Sequence, residues 1–288
     1  MKRKINLGAA YTLPITFWLS IFFVIPMVIV MVYSVLKKGN YGGVEFQFSL
    51  ESFQVFSDPV FYLVLWRTIY LSVIVTVLTV ILAIPTAYYI ARSKYKKELL
   101  FLVIIPFWTN FLVRIYSWIA LLGNNGFLNN MLGKVGIAPV QFLYNSWAVI
   151  IITVYTSLPF AILPLYSVIE KYDFSLVEAA RDLGATNAQA FFKVFLPNIK
   201  PGIVTAVLFT FIPSLGSYAV PKLVGGTKSV MLGNLIAQHL TVTRNWPLAS
   251  VISGALIIVT SLTIIVFMKL SSDKKNIIQV EEVKDGDE

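Results

Sequence analysis

Apolar residues in this chain come in long uncharged runs, not in the alternation of a half-buried strand or the one-sided stripe of a soluble helix. The runs cover roughly 11–36, 68–91, 99–122, 147–169, 202–221 and 247–268, and Arg114 alone interrupts them, in the third. A helix needs about 20 apolar residues to cross the hydrocarbon core of a bilayer, so the pattern predicts six spanning helices. Pro14, Pro26, Pro85, Pro106, Pro159, Pro164 and Pro213 lie inside these runs. They would break a soluble helix but are tolerated as kinks where neighbouring helices re-satisfy the backbone. The stretch near 37–66 is rich in Gly, Phe and Ser and predicts a short element outside the membrane, whereas 170–201 is too polar to span.

Composition agrees with this pattern. The 288 residues are 57% hydrophobic and 13% charged, with a mean hydropathy of +0.78, which places the chain in lipid. The basic start Lys2-Arg3-Lys4 followed by an apolar run has the look of a secretory signal. The uncharged stretch Ile5 to Leu36 is too long for one, and no small-x-small cleavage site precedes Lys37, so the expectation is an uncleaved spanning helix.

A net charge of +9 raises the question of nucleic acid, yet the basic residues sit in short clusters beside the spans, as topological anchors do. With the N-terminus placed in the cytoplasm, fifteen Lys and Arg fall inside (residues 2–4, 92–97, 171–200 and 269–284). Six fall outside: Lys37, Lys38, Lys134, Lys222, Lys228 and Arg244. That bias predicts two cytoplasmic termini. Trp66, Trp108, Trp118, Trp147 and Trp246 lie near span ends, where indole suits the interface. The tail 271–288 is polar and mixed in charge, and is expected to be disordered and cytoplasmic.

Much chemistry is excluded. There is no cysteine, which removes thiol catalysis, Cys-ligated zinc and iron–sulfur clusters, and the one histidine, His239, reads as an ordinary polar loop residue. No P-loop motif occurs; Gly225-Gly226-Thr227-Lys228-Ser229 lacks its spacing and reads as a turn. None of the 14 acids falls within a span, so the usual carboxylate proton relay of a coupled carrier is missing. Arg114 lies about 15 residues, hence roughly 22 Å, from the inner end of its run. It is read either as part of a translocation path or as a snorkelling or partner-paired cation, and the second reading is preferred because a fixed cation repels cationic cargo.

The polar segment 170–201 carries strong helix signals. Ser175 with Glu178 and Thr186 with Gln189 have the spacing of capping boxes. Gly184 stands where a helix asks for a left-handed residue, and Pro197 is expected to close the second helix. Leu176, Ala179, Ala180 and Leu183 share one face of the first helix. Phe191, Phe192, Val194, Phe195 and Leu196 leave apolar surface that something must cover, a partner or the chain's own helices.

The run Glu178-Ala179-Ala180, three residues, Gly184, nine residues, then Val194-Phe195-Leu196-Pro197 resembles the EAA loop of ABC importer permeases, with Val194 where the family has isoleucine. "PFWTNFLVRIYSW" (106–118), "GSYAVPKLVGGTKSVMLGNLIAQ" (216–238) and "NWPLAS" (245–250) are similar to one of the two permeases of spermidine/putrescine importers.

The resemblance implies an all-α integral membrane protein with the six-span type I ABC importer permease fold. Residues 1–66 would supply an N-terminal span and outer loop, and 67–270 the permease core. Within that core 170–201 would be the coupling helix on a cytoplasmic ATPase, through Glu178, Ala179, Ala180, Leu183, Gly184, Val194, Leu196 and Pro197. It further implies a non-catalytic subunit of the cell membrane that binds no cofactor, ATP and Mg being held by the ATPase. The implied partners are a homologous second permease, two ATPase subunits and an external binding protein, with no nucleic acid. Trp108, Asn110, Tyr155 and Tyr218 are the candidates for a polyamine path, because aromatic faces and amide oxygens hold ammonium groups weakly enough to release them. Sulfate or thiosulfate is the alternative cargo, suggested by Lys222, Lys228 and Arg244. A secondary transporter and a membrane scaffold are the rivals from other classes.

Overall fold

A computed structural model describes the backbone of residues 7–284 and the side chains of residues 12–269. The chain forms two compact units, Met1–Tyr62 with Leu235–Ile258, and Leu63–Asn234 with Val259–Glu288.

In the first unit, α1 (Leu7–Leu19), a π turn (Ser20–Val24) and α2 (Ile25–Ser34) form one continuous helical run. Its apolar part, Thr12–Ser34, buries none of its residues within the chain. The π turn comes directly before Ile25-Pro26, and the Ile25 N–H donates to the Ser20 carbonyl five residues back. Pro26 has no N–H and its ring clashes with the carbonyl four residues earlier. One wider turn moves that carbonyl aside without ending the helix. The Gly-, Phe- and Ser-rich stretch folds into an antiparallel hairpin, β1 (Leu36–Lys38) on β2 (Val44–Phe48), and a 3-10 turn (Glu51–Ser57). It is the only strand pairing among the described residues of a chain expected to be wholly helical. This unit also takes in the start of α3 (Pro59–Arg92).

The second unit holds the rest of α3, then α4 (Lys96–Trp108), α5 (Phe111–Leu122), α6 (Phe127–Lys134) and α7 (Ser146–Ile169). After α7 come α8 (Ser175–Asp182), then α9 (Asn187–Gln189), a π turn (Ala190–Phe195) and α10 (Leu196–Asn198) as one segment, and α11 (Lys200–Leu215). α12 (Ala219–Val224) completes it before α13 (Leu232–Thr241) and α14 (Trp246–Lys284), which run through both units. α7 packs along α11 closely enough that a Cβ on Gly202 would lie 3.1 Å from Val168 Cγ2 and 3.5 Å from Leu165 Cα. The start of α13 is tied to α3 by the Leu232 N–H, which donates to Thr68 Oγ1 at 2.9 Å.

Four helical stretches are long and apolar enough to cross a membrane: Thr12–Ser34, Pro59–Arg92, Ser146–Ile169 and Trp246–Lys269. Two bent pairs bring the number to six if each counts as one crossing, Lys96–Trp108 with Phe111–Lys134 and Asn187–Asn198 with Lys200–Leu215.

Several sequence expectations need correction. The helix of the second span begins at Pro59, not 68, and includes Arg67, which is half-buried. The third, 99–122, is not straight. It breaks by 92° between Trp108 and Phe111, so the 22 Å depth assigned to Arg114 does not apply. Pro106 cannot donate within α4, and Asn110 restarts the helix as an N-cap, its Oδ1 accepting from the Leu112 N–H at 2.8 Å. The fifth span ends at Leu215 and residues 219–224 form the separate α12. The tail expected to be disordered continues as helix to Lys284. No Gly or Pro lies between Met268 and Lys284, and lengthening an existing helix needs no new nucleus. Residues 285–288 lie outside the described residues.

Candidate functional site: a helix-turn-helix loop and a broken-helix groove

The polar segment 170–201 is a helix-turn-helix, and its turn follows the glycine. Gly184 has φ +91°. Its N–H donates to the Arg181 carbonyl at 2.9 Å, and the Ala185 N–H to the Ala180 carbonyl at 3.0 Å, the paired bonds of a Schellman motif. The Thr186–Gln189 capping box forms in both directions: the Gln189 N–H donates to Thr186 Oγ1, and the Thr186 N–H to Gln189 Oε1. The Ser175–Glu178 box does not form. Ser175 is already the first residue of α8, and Asp173 Oδ1 accepts its N–H at 3.0 Å. Hydrogen bonds from the Ser175 hydroxyl and backbone hold the Asp173 carboxyl below its usual range. Nor does Pro197 end the second helix. As at Pro26, a π turn precedes it, the Leu196 N–H donating to the Phe191 carbonyl. The break comes at Ile199, where the chain bends by 69° into α11.

The two faces of this loop differ. Phe195 is 1% exposed. Its ring lies 5.2 Å from Tyr88, 5.3 Å from Tyr172 and 5.4 Å from Phe191, centroid to centroid. Phe191, Val194 and Leu196 are half-buried, so of the five apolar residues only Phe192 stays uncovered, at 64% exposed. Burial pushes the Tyr172 phenol pKa up. On the other face Leu183 is 90% exposed, Leu176 and Ala179 are exposed, and Ala180 is half-buried. The face expected from helical periodicity is therefore present and unpartnered in this chain. Between α8, the last turn of α3 and the second helix of the loop lies a cavity of about 210 Å³ lined by Tyr88, Arg92, Phe174, Glu178, Arg181 and Phe191, among others.

A second concave site opens at the α4–α5 break, a groove of about 480 Å³ lined by Thr109, Arg114, Ser117, Trp118, Leu121 and Tyr155 among others. Arg114, Trp118 and Leu121 share a helix face at i, i+4, i+7. Trp118 and Tyr155 meet edge to face at 5.4 Å. The Arg114 guanidinium carbon lies 5.4 Å from the Phe107 ring centroid and 5.6 Å from that of Phe111. Its Nε is buried with no hydrogen-bond partner among the described residues.

The four path candidates do not converge on this groove. Tyr155 lines it. Trp108 ends α4 beside the break, 78% exposed, with its ring 5.8 Å from Phe101. Asn110 spends its side-chain oxygen on the α5 cap. Tyr218 lies elsewhere, before α12, and already holds a cation: Lys222 Nζ sits 4.9 Å from its ring centroid and donates to its hydroxyl. Trp118 is the aromatic residue of the groove that sequence reading assigned to the interface; its i, i+4 spacing from Arg114 was the available signal.

The chain matches the family model of the binding-protein-dependent transport system inner membrane component over residues 72–276. It is 41% identical over 256 residues to the spermidine/putrescine transport system permease protein PotB of Haemophilus influenzae, covering 88% of this chain and 90% of that one. Identity to the protein of the same name from Escherichia coli is 36% over 258 residues, covering 88% and 94%. A sulfate transport system permease protein, CysW of a Synechocystis species, is 27% identical over 211 residues, covering 73% and 74%. In fold the chain is similar to a chain of a bacterial alginate ABC transporter crystallised in complex with an alginate pentasaccharide-bound periplasmic protein. The TM-score is 0.73 at 20% identity, over 93% of this chain and 94% of that one. With four helical stretches apolar and long enough to cross a membrane, six if each bent pair counts as one, an EAA-type loop and a family match across most of its length, the chain belongs to the binding-protein-dependent transport system inner membrane components, the permease family of ABC importers.

Proposed function

We propose that this chain is one of two permease subunits of an ATP-driven importer of polyamines such as spermidine and putrescine. The observation that carries the substrate is the 41% identity, over 88% of the chain, to a permease named for that cargo. The sulfate permease reaches only 27% over 73%. In this reading an external binding protein delivers the polyamine, a second permease completes the path, and two ATPase subunits hold ATP and Mg. Both termini face the cytoplasm, and 67–270 is the permease core.

The loop 170–201 is the ATPase contact, formed by Glu178, Ala179, Ala180, Leu183, Gly184, Val194, Leu196 and Pro197. In support, Leu176, Ala179 and Leu183 present an uncovered, shallow apolar face on a helix pair whose turn is fixed by backbone hydrogen bonds, suited to a partner's groove. Along the path Tyr155 and Trp108 offer aromatic faces to ammonium groups, each contact weak enough to release. Asn110 and Tyr218 serve a cap and Lys222 instead, and make the weaker candidates. No acid lies in the apolar runs, Glu98 standing in the first turn of α4, so tight selection is left to the binding protein and the second permease. The test is ATP-dependent uptake into vesicles carrying the whole complex, with labelled spermidine, putrescine and sulfate at equal concentration. Polyamine uptake that ceases without ATP is expected. Sulfate uptake without polyamine uptake overturns the substrate, and uptake with no ATPase present overturns the ABC assignment.

A further inference from the structure

Side chains beneath α8 tie it to a spanning helix. Three helices are within reach, and α7 leads straight into α8 through residues 170–174. α11 is joined to the loop covalently, but through a 69° bend at Ile199. α3 meets it through side chains at its last turn. Arg92, the final residue of α3, places its guanidinium carbon 5.0 Å from the ring centroid of Phe174, the residue that opens α8. The same carbon lies 5.8 Å from the Tyr88 ring, and Nη1 donates to the Tyr88 hydroxyl at 2.9 Å. Tyr88 in turn meets Phe174 at 5.7 Å and the buried Phe195 at 5.2 Å, both edge to face. One cation thus joins the end of α3 to the start of α8, and the tyrosine that orients it reaches the second helix of the loop. Beside this contact lies the 210 Å³ cavity, with Val177, Glu178 and Arg181 of α8 on one wall and Asn187 and Phe191 of the second helix on another. The Tyr88–Phe174 ring pair is a second link between the same two helices, so the Arg92 contact is one part of a small cluster that joins them.

We propose that Arg92 is a positioning residue that transmits displacement of α8 to α3. The inference rests on the reading of 170–201 as the ATPase contact. A cation over a ring tolerates sliding while it resists separation, because the attraction follows the ring face and needs no fixed donor angle. A helix pushed from below therefore keeps its link to α3 as it tilts.

The full complex in proteoliposomes tests this through polyamine taken up per ATP hydrolysed, with subunit stoichiometry measured on the same preparation. Arg92→Ala is expected to lower that ratio about threefold, the size of one exposed cation–ring contact, and Phe174→Leu, which also removes ring contacts with Tyr88, Tyr172 and Phe195, by at least as much, with stoichiometry unchanged. Arg92→Lys, which keeps a cation over the ring, should restore most of the ratio. The double variant should fall no further than the worse single one, because both remove the same contact. An unchanged ratio in Arg92→Ala, or a double variant that loses the product of the two single losses as independent sites would, overturns the proposal. If Arg92→Ala does not assemble, Arg92→Gln and Phe174→Leu decide by the same ratio, and unchanged coupling in both overturns it. Gly184→Val in the same assay separates the two layers. Uncoupling there with normal coupling in the Arg92 variants sinks Arg92 alone, whereas normal coupling in all of them removes the ATPase-contact reading as well.

Discussion

Gly184 has φ +91° and nothing within 4 Å of where a Cβ would stand, so a substitution there meets backbone strain and no clash. A left-handed conformation costs an ordinary L-residue about 1–2 kcal/mol, most for a β-branched side chain and least for Asn or Asp. Gly184→Val should therefore lower uptake per ATP by about tenfold, whereas Gly184→Asn should stay near the native ratio; equal effects would show that the side chain and not the turn matters. Phe195 is the opposite case, 1% exposed within a ring cluster. Phe195→Ala should cost about 3–5 kcal/mol, read as a lower unfolding midpoint of the purified complex, while Phe192→Ala, at 64% exposed, should leave that midpoint almost unmoved. Sequence could pick out Gly184 because the demand is local to the backbone. It could not separate Phe195 from Phe192, because which ring is covered depends on Tyr88 and Tyr172, distant in sequence and adjacent in space.

Among the helices and turns, proline is the residue whose consequences were least readable. Pro26 and Pro197 each follow a π turn and leave the helix running, whereas the stretch after Pro106 breaks by 92° and restarts on Asn110. Asn110→Ala removes an N-cap bond worth about 1 kcal/mol and should lower the unfolding midpoint, whereas Asn110→Asp, which keeps the acceptor, should not. If both variants behave alike, the amide has a role beyond the cap. Lys96 at the start of α4 and Glu170 just after α7 form the one ion pair found among the described residues, at 2.7 Å. That bond, with a second from Tyr166, holds the Glu170 carboxyl below its ordinary value of 4.5. A carboxyl depressed in this way stabilises the folded state above its ordinary value, and the contribution is lost as pH falls through the lower, folded value. The midpoint advantage of the native protein over Glu170→Gln should persist at neutral pH and vanish only below 4.5; an advantage independent of pH would point to packing.

For the whole molecule, the basic bias and the six apolar runs predict that a reporter fused after Lys284 reads cytoplasmic and one placed in 123–146 reads outside. A cytoplasmic signal from the second would break the span assignment. The number of apolar runs, the membrane environment and the turn at Gly184 follow from composition and short-range chemistry, since bilayer thickness sets run length and a left-handed turn needs glycine wherever it stands. The turn at Gly184 and the Thr186–Gln189 cap were legible for the same reason, because each is written within a few residues, whereas the Ser175–Glu178 box and the stop at Pro197 did not form. The Arg114–Trp118–Tyr155 groove and the Arg92–Phe174 contact were not legible, because each joins residues that meet only after helices pack. Hydrophobic runs fix how many apolar stretches can enter the bilayer, since burial in lipid depends on length and apolarity. Which of their side chains face a groove, a cavity or a neighbouring ring is settled by packing, where contacts between residues far apart in sequence compete and only the assembled chain selects among them.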